Sequence, residues 1–239
     1  MFCRFLAWKD LKKMIKLNNL SLDFAGNIIF KNISLQVKKS DRIGLIGNNG
    51  SGKTTLLNLL SKKISPTDGS ISQDKNLKIA YLPQELWFNP DISLREFVIG
   101  NNSELIELDK RIDEINNMLS KIKLEKKQFE LLNKLEQIQS KKDNINILEL
   151  EINSEKIMKG LGFTNTDFKK NINNFSGGWK MRAELSRLLV LRPDIILLDE
   201  PTNHLDLPAI IWLEFFLSTT KCTIILVSHD TNFLNKSTN

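Results

Sequence analysis

Apolar and polar residues alternate along residues 15–24 (IKLNNLSLDF) and again along 32–37 (NISLQV), the period of half-buried strands, with Gly26 and Asn27 marking a turn between them. The pattern then changes. Residues 42–47 (RIGLIG) read as a short buried strand, and 53–64 (KTTLLNLLSKKI) read as a helix after an intervening glycine-rich stretch. Residues 77–85 (LKIAYLPQE) read as another strand. Further on, 195–200 (IILLDE) is a continuous apolar run closed by two acids, and 222–230 (CTIILVSHD) repeats that design. Such runs predict central parallel strands whose carboxyl ends face a ligand crevice.

Between about residues 101 and 171 glycine is scarce and Lys, Glu, Ile and Leu dominate. Leu105, Leu108, Ile112, Ile115, Leu119 and Ile122 recur at spacings of three and four, the seam of an amphipathic helix. A second helix is expected over about 128–139, through Leu131, Leu132, Leu135 and Ile138. Together they predict a helical hairpin inserted into an α/β body, with no internal repeat. From Lys121 to Lys142 seven basic residues stand against three acidic ones, a local balance of +4. That stretch reads either as an ordinary solvated helix face or as a surface for RNA phosphates.

With 239 residues, 41% hydrophobic and 26% charged, the chain can bury a sizeable core. The net charge of +6 leans toward a polyanionic partner without saying anything about fold. Cys3 and Cys222 lie far apart and show no metal-ligand spacing, so a reducing cytoplasm is the expected setting. No apolar run is long enough for a bilayer span. The opening MFCRFLAWKDLKK has Phe2, Leu6 and Lys9 at helical spacing and suits a membrane-surface anchor. It lacks a signal cleavage site, and the favoured reading is a leader (1–13) before a start at Met14.

Chemistry enters at residues 47–55, GNNGSGKTT, which fit G-x-x-x-x-G-K-[ST] between a strand and a helix. Gly47, Asn48, Asn49, Gly50, Ser51 and Gly52 let backbone N–H groups curl around a phosphate. Lys53 supplies a point charge, Thr54 offers a hydroxyl to Mg2+, and Thr55 completes the loop. Asp199, at the end of a buried strand, suits a Mg2+ site, and the adjacent Glu200 suits orienting or deprotonating an attacking water. Side chains of neighbouring strand residues point oppositely, so both acids act together only if the chain turns at once, a turn assigned to Pro201. His229, after one other strand, is a candidate for contacts to the γ-phosphate or the attacking water, and Gln84, after another, for reaching Mg2+ and the water. Phe24 is a candidate for stacking on adenine, with a plain core role as the alternative.

Residues 175–190 (FSGGWKMRAELSRLLV) pass from a bare Ser-Gly-Gly into a basic amphipathic helix, so backbone N–H groups and a hydroxyl are open to an anion. Taken in order, GNNGSGKTT, YLPQE, FSGGWKMRAELSR, IILLDEPTNHLD and LVSHD resemble the nucleotide-binding domain of an ATP-binding-cassette ATPase from about Met14 onward. EPTNHLD and FSGGW are similar to the soluble ABC-F class, and to the first of its two cassettes. The resemblance implies an α/β P-loop NTPase fold with an antiparallel β subdomain and an inserted α-helical subdomain bearing a hairpin arm. One cassette would span 14–239, with 14–100 and 172–239 as core and 101–171 as insertion.

The same resemblance implies ATP and Mg2+ as cofactors, the ribosome, through rRNA or tRNA, as partner, and a second cassette that closes head to tail. Ser176, Gly177 and Gly178 would then touch the ATP held by the neighbour, Asp206 would lie near the seam, and the bulk of Trp179 would pack there. The chain ends ten residues after His229, short of a two-cassette protein. The second cassette is therefore expected from another copy or a separately encoded half. A non-hydrolysing remnant or nucleotide-dependent binding module shares every motif, whereas the ATPase subunit of a membrane transporter fits EPTNHLD less well.

Overall fold

The structure is a computed structural model that describes residues 13–24, 26–85, 91–100, 103–120, 125–144 and 147–238. Residues 1–12 of the leader, with Cys3, and Lys121, Ile122 and Lys123 of the arm lie outside the described residues.

The strands are β1 (Lys13–Phe24), β2 (Asn27–Lys38), β3 (Arg42–Leu45), β4 (Asp68–Gln73), β5 (Ile79–Leu82), β6 (Ile195–Asp199) and β7 (Thr223–Val227). The helices are α1 (Lys53–Leu60), α2 (Leu94–Ile99), α3 (Ser103–Leu119), α4 (Glu125–Asn144), α5 (Ile147–Gly160), α6 (Gly177–Val190), α7 (Leu207–Thr219) and α8 (Thr231–Ser237). The chain forms two compact units, residues 1–86 with 192–239, and residues 87–191.

The first unit holds both sheets. An antiparallel sheet runs in the order β2-β1-β4, and a parallel sheet runs β3-β7-β6-β5. One apolar cluster joins them: Ile15, Leu17, Leu20 and Val37 from the antiparallel sheet, Leu57, Leu59 and Leu60 from α1, and Ile195, Leu197, Ile225 and Val227 from the parallel sheet. Strands β6 and β7 are buried at every position, as expected of central strands carrying continuous apolar runs.

Two local expectations change, and one strand appears that the sequence pattern does not mark. β3 is half-buried rather than buried, because it is an edge strand paired only with β7 among the described strands. α1 stops at Leu60, and Lys62 turns into the left-handed region at φ 60°, which a helix cannot continue through. β4, sequence DGSISQ, has too few apolar residues to announce a strand; it exists through backbone pairing with β1, Ile15 opposite Gln73 and Leu17 opposite Ile71.

α7 is strongly apolar, with Glu214, paired with Lys236 at 2.9 Å, as its one charged residue. Ala209, Leu213 and Leu217 are buried, while Leu207, Ile211 and Phe215 on another face are exposed. Arg42 fixes its carboxyl end, donating to the carbonyl oxygens of Ser218 (3.2 Å) and Thr220 (2.9 Å), and to that of Ser237 (3.3 Å).

In the second unit, α2 and α5 pack on α6 around Leu94, Val98, Met158, Leu161, Ala183 and Leu185. The sequence pattern did not announce α2 or α5. α2 opens with a capping box: Ser93 Oγ accepts from the Glu96 N–H at 3.2 Å, and Glu96 accepts from the Ser93 N–H at 2.8 Å. α3 and α4 pack together, with Ile115 buried and Leu131, Leu135 and Ile138 half-buried. Leu132 falls off that seam and is exposed, as is Phe129. Lys127, Lys134 and Lys141 on α4 are exposed.

Candidate functional site

The phosphate-loop sequence lies between the end of β3 and the start of α1. The Gly52 backbone is left-handed at φ 92°, and a Cβ there would come within 2.9 Å of Ile29 Cγ2 and Phe30 Cζ. Only glycine fits that corner. Gly50 is left-handed too, at φ 78°. Lys53 Nζ donates to the carbonyl oxygens of Gly47 (2.8 Å) and Asn48 (3.0 Å), so the ammonium is held against its own loop.

Above the loop lies a cavity of about 550 Å3. Asn49, Gly50, Gly52, Lys53, Thr54 and Thr55 line it from the loop and α1, and Gln84, Asp199, Glu200 and His229 from the ends of three strands. This is the carboxyl edge of a parallel sheet, where strand ends leave a crevice for ligands. The cavity therefore gathers every catalytic and metal candidate read from the sequence. Gly47, Asn48 and Ser51 belong to the same loop without lining it. Phe24 is not among the lining residues and is 50% exposed at the end of β1. Ile29, Asn203 and Val227 line the cavity as well. Asn203 lies three residues after Glu200 inside EPTNHLD, a motif already singled out, whereas nothing in the local sequence marks Ile29.

The two acids are set by one backbone event. Asp199 ends β6, and Glu200 adopts φ 50°, ψ 52°, so the turn lies in Glu200 itself and Pro201 only starts the short helical turn that follows. The Glu200 N–H donates to Val227 O at 3.0 Å, and Glu200 Oε2 accepts from the His229 N–H at 3.1 Å. Glu200 Oε1 lies 3.5 Å from His229 Nε2 and is buried without a hydrogen bond. Asp199 is 2% exposed. The Thr54 hydroxyl donates to its carboxylate, Lys53 lends positive charge, and Oδ2 is left without a partner. Burial still dominates and pushes the Asp199 carboxyl above the usual range. Burial and the charge of Asp199 push the Tyr81 phenol, on β5, up to about 12.

An orphaned, buried carboxylate oxygen beside a threonine hydroxyl suits a hard divalent cation, and Mg2+ takes one or two protein ligands together with waters and substrate phosphates. The donor set fits. Among the described residues no cluster of three or more His, Cys, Asp or Glu side chains forms a dedicated metal cage.

A native pKa above the unfolded value of about 3.9 means that the folded state binds the Asp199 proton more readily. Its contribution to stability is present below that value and lost as pH rises through the raised native pKa. Asp199→Asn is therefore expected to raise the melting temperature of the nucleotide-free chain at neutral pH, with the gain fading below about pH 4. Thermal unfolding across pH checks this.

Ser176, Gly177 and Gly178 open α6 in the other unit. Ser176 and Gly177 are exposed, and the Ser176 side chain makes no capping hydrogen bond although it occupies the N-cap. A Cβ on Gly177 would meet nothing within 4 Å. The Trp179 ring packs on Phe163 at 4.9 Å, and the Arg182 guanidinium lies over it at 4.4 Å. Asp206 caps α7, accepting from the Ala209 N–H at 3.2 Å.

A glycine loop on a parallel sheet, a strand-end acid pair and an inserted helical unit together define a P-loop cassette. Residues 30–203 match the profile of the ABC transporter family, and the chain belongs to that family. ABC transporter F family member 5 of Arabidopsis thaliana is 32% identical over 224 residues, covering 93% of this chain and 32% of that protein. Probable ATP-binding protein YheS of Escherichia coli is 34% identical over 222 residues, covering 93% and 33%. The chain thus spans about a third of the length of these curated relatives. Among solved structures, the dimeric post-hydrolysis state of the ATP-binding cassette MJ0796 bound to ADP and Pi matches with a TM-score of 0.64 and 22% identity, over 93% of this chain and 91% of that one, a likeness of fold. Among the described residues no helix is long and apolar enough to cross a membrane.

Proposed function

We propose that this cassette hydrolyses Mg-ATP as part of an ABC-F protein that works on the ribosome, and that it is active only when paired with a second cassette. The carrying observation is the convergence of Lys53, Thr54, Gln84, Asp199, Glu200 and His229 on one cavity. The loop amides and Lys53 hold the phosphates. Thr54 and Asp199 hold Mg2+, which neutralises charge on the phosphate oxygens when bound. Glu200 Oε1, buried with no hydrogen bond to occupy it, takes the proton of the attacking water. His229 and Gln84 steady the terminal phosphate and the water.

Pairing is supported by the unused Ser176 hydroxyl and the open Gly177 surface, and by the dimer that MJ0796 forms. ATP turnover per chain should rise with protein concentration and then saturate. Ser176→Arg should abolish that rise while leaving ATP binding to the same chain unchanged in equilibrium titration. A turnover independent of concentration would overturn the paired site.

The ribosomal partner rests on the resemblance of EPTNHLD and FSGGW to the ABC-F class and on the exposed lysines of α4. Co-sedimentation with ribosomes should weaken with salt. Reversing Lys127, Lys134 and Lys141 should lower the salt slope by about three, one for each phosphate no longer neutralised. Binding untouched by both changes would remove the arm from the interface.

A further inference from the structure

We propose that Asn49 is a site of spontaneous deamidation that disables the phosphate loop, and that bound nucleotide protects it. Asn49–Gly50 is the one Asn-Gly dipeptide in the sequence. Both residues are exposed, and both line the cavity. They form the middle of a turn closed by the Ser51 N–H on Asn48 O at 3.2 Å, with Gly50 at φ 78° in the third position, as a type II turn requires. A Cβ on Gly50 would meet nothing within 4 Å, so no neighbour obstructs a rearrangement there. Neither the Asn49 amide nor the Gly50 N–H has a hydrogen-bond partner among the described residues.

The reaction needs only water and base. The deprotonated Gly50 nitrogen attacks Asn49 Cγ, the Cγ–Nδ2 bond breaks and ammonia leaves, giving a five-membered succinimide. Water then opens either imide C–N bond. One product is aspartate, and the other is isoaspartate with the main chain rerouted through the β-carbon. No electrons are exchanged.

Asp68–Gly69, the one Asp-Gly dipeptide, could form the same ring but is restrained. Gly69 lies in β4, where an added Cβ would overlap the Asn19 carbonyl oxygen, and an ionised carboxylate is a poorer electrophile than an amide.

A carboxylate at position 49 would stand in a loop whose amides collect anions. It would repel phosphate and offer Lys53 an internal counterion, and the isoaspartate form would also shift the amides that follow. Phosphate bound by the loop amides would hinder the Gly50 nitrogen from attacking. Protection rests on the nucleotide-binding reading above; the deamidation itself does not.

The test incubates the full chain at mildly alkaline pH, with and without AMP-PNP and Mg2+, and maps peptides by mass. The amide-to-acid mass gain should appear at Asn49 before any other asparagine, with isoaspartate detected by methyltransferase labelling. Nucleotide binding should fall in proportion, and AMP-PNP should slow conversion severalfold. Asn49→Gln, whose ring closure would need six members, should show no gain at that position. Earlier reaction elsewhere, or full nucleotide affinity in the converted chain, overturns the proposal. Conversion not slowed by AMP-PNP that titration shows to be bound overturns protection alone. If no nucleotide binds at all, the functional reading fails while a mass gain at Asn49 still supports the modification site.

Discussion

Glu200→Gln is expected to lower ATP turnover by about 10²–10⁴-fold, the range a positioned general base contributes. Glutamine keeps the size of the side chain and its acceptor for the His229 N–H, so the turn geometry survives. Only the proton acceptor at Oε1 disappears. Nucleotide should therefore bind as before, and the paired state should accumulate with ATP because it no longer resolves. Single-turnover hydrolysis alongside equilibrium binding separates the two effects. Turnover within a few-fold of the unaltered chain would assign the proton to another group, with His229 next in line at 3.5 Å.

Lys53→Ala is expected to fail one step earlier. Among the described residues the ammonium is the single lysine lining the cavity, and it also partly offsets the charge of Asp199. Removing one partner of a buried charge pair costs about 2–5 kcal/mol, roughly 30- to 5,000-fold in nucleotide affinity. Its two hydrogen bonds to Gly47 and Asn48 go as well, so the loop loses an internal brace even without ligand. Isothermal titration with ATP and Mg2+ reads the affinity directly. Unchanged affinity would mean that the amides alone carry the phosphates.

The polar lining of the cavity was legible because its residues sit at strand ends, where an apolar run stops and a polar residue follows. Asp199, Glu200, His229 and Gln84 all announce themselves that way. β4 was not, since it is held by backbone pairing and its side chains carry little pattern. β3 looked buried because a four-residue apolar run says nothing about whether a strand is central or at an edge. Trp179 illustrates another limit. Its contacts with Phe163 and Arg182 inside its own unit leave no mark in the local sequence. Cavity walls such as Ile29 come from a different sheet, a juxtaposition that no local pattern encodes.

The left-handed backbone of Glu200 and the buried charge of Asp199 share a practical consequence. Each is a poor building material chosen for its place in the cavity: the backbone conformation is one glycine adopts more easily, and the charge is one a neutral amide would spare. A search for heat-tolerant variants run without nucleotide would reward replacements at these two positions and so return inert proteins. Running the same search in saturating Mg-ATP would couple survival to the site, because a ligand that binds only the folded chain adds its own binding free energy to stability.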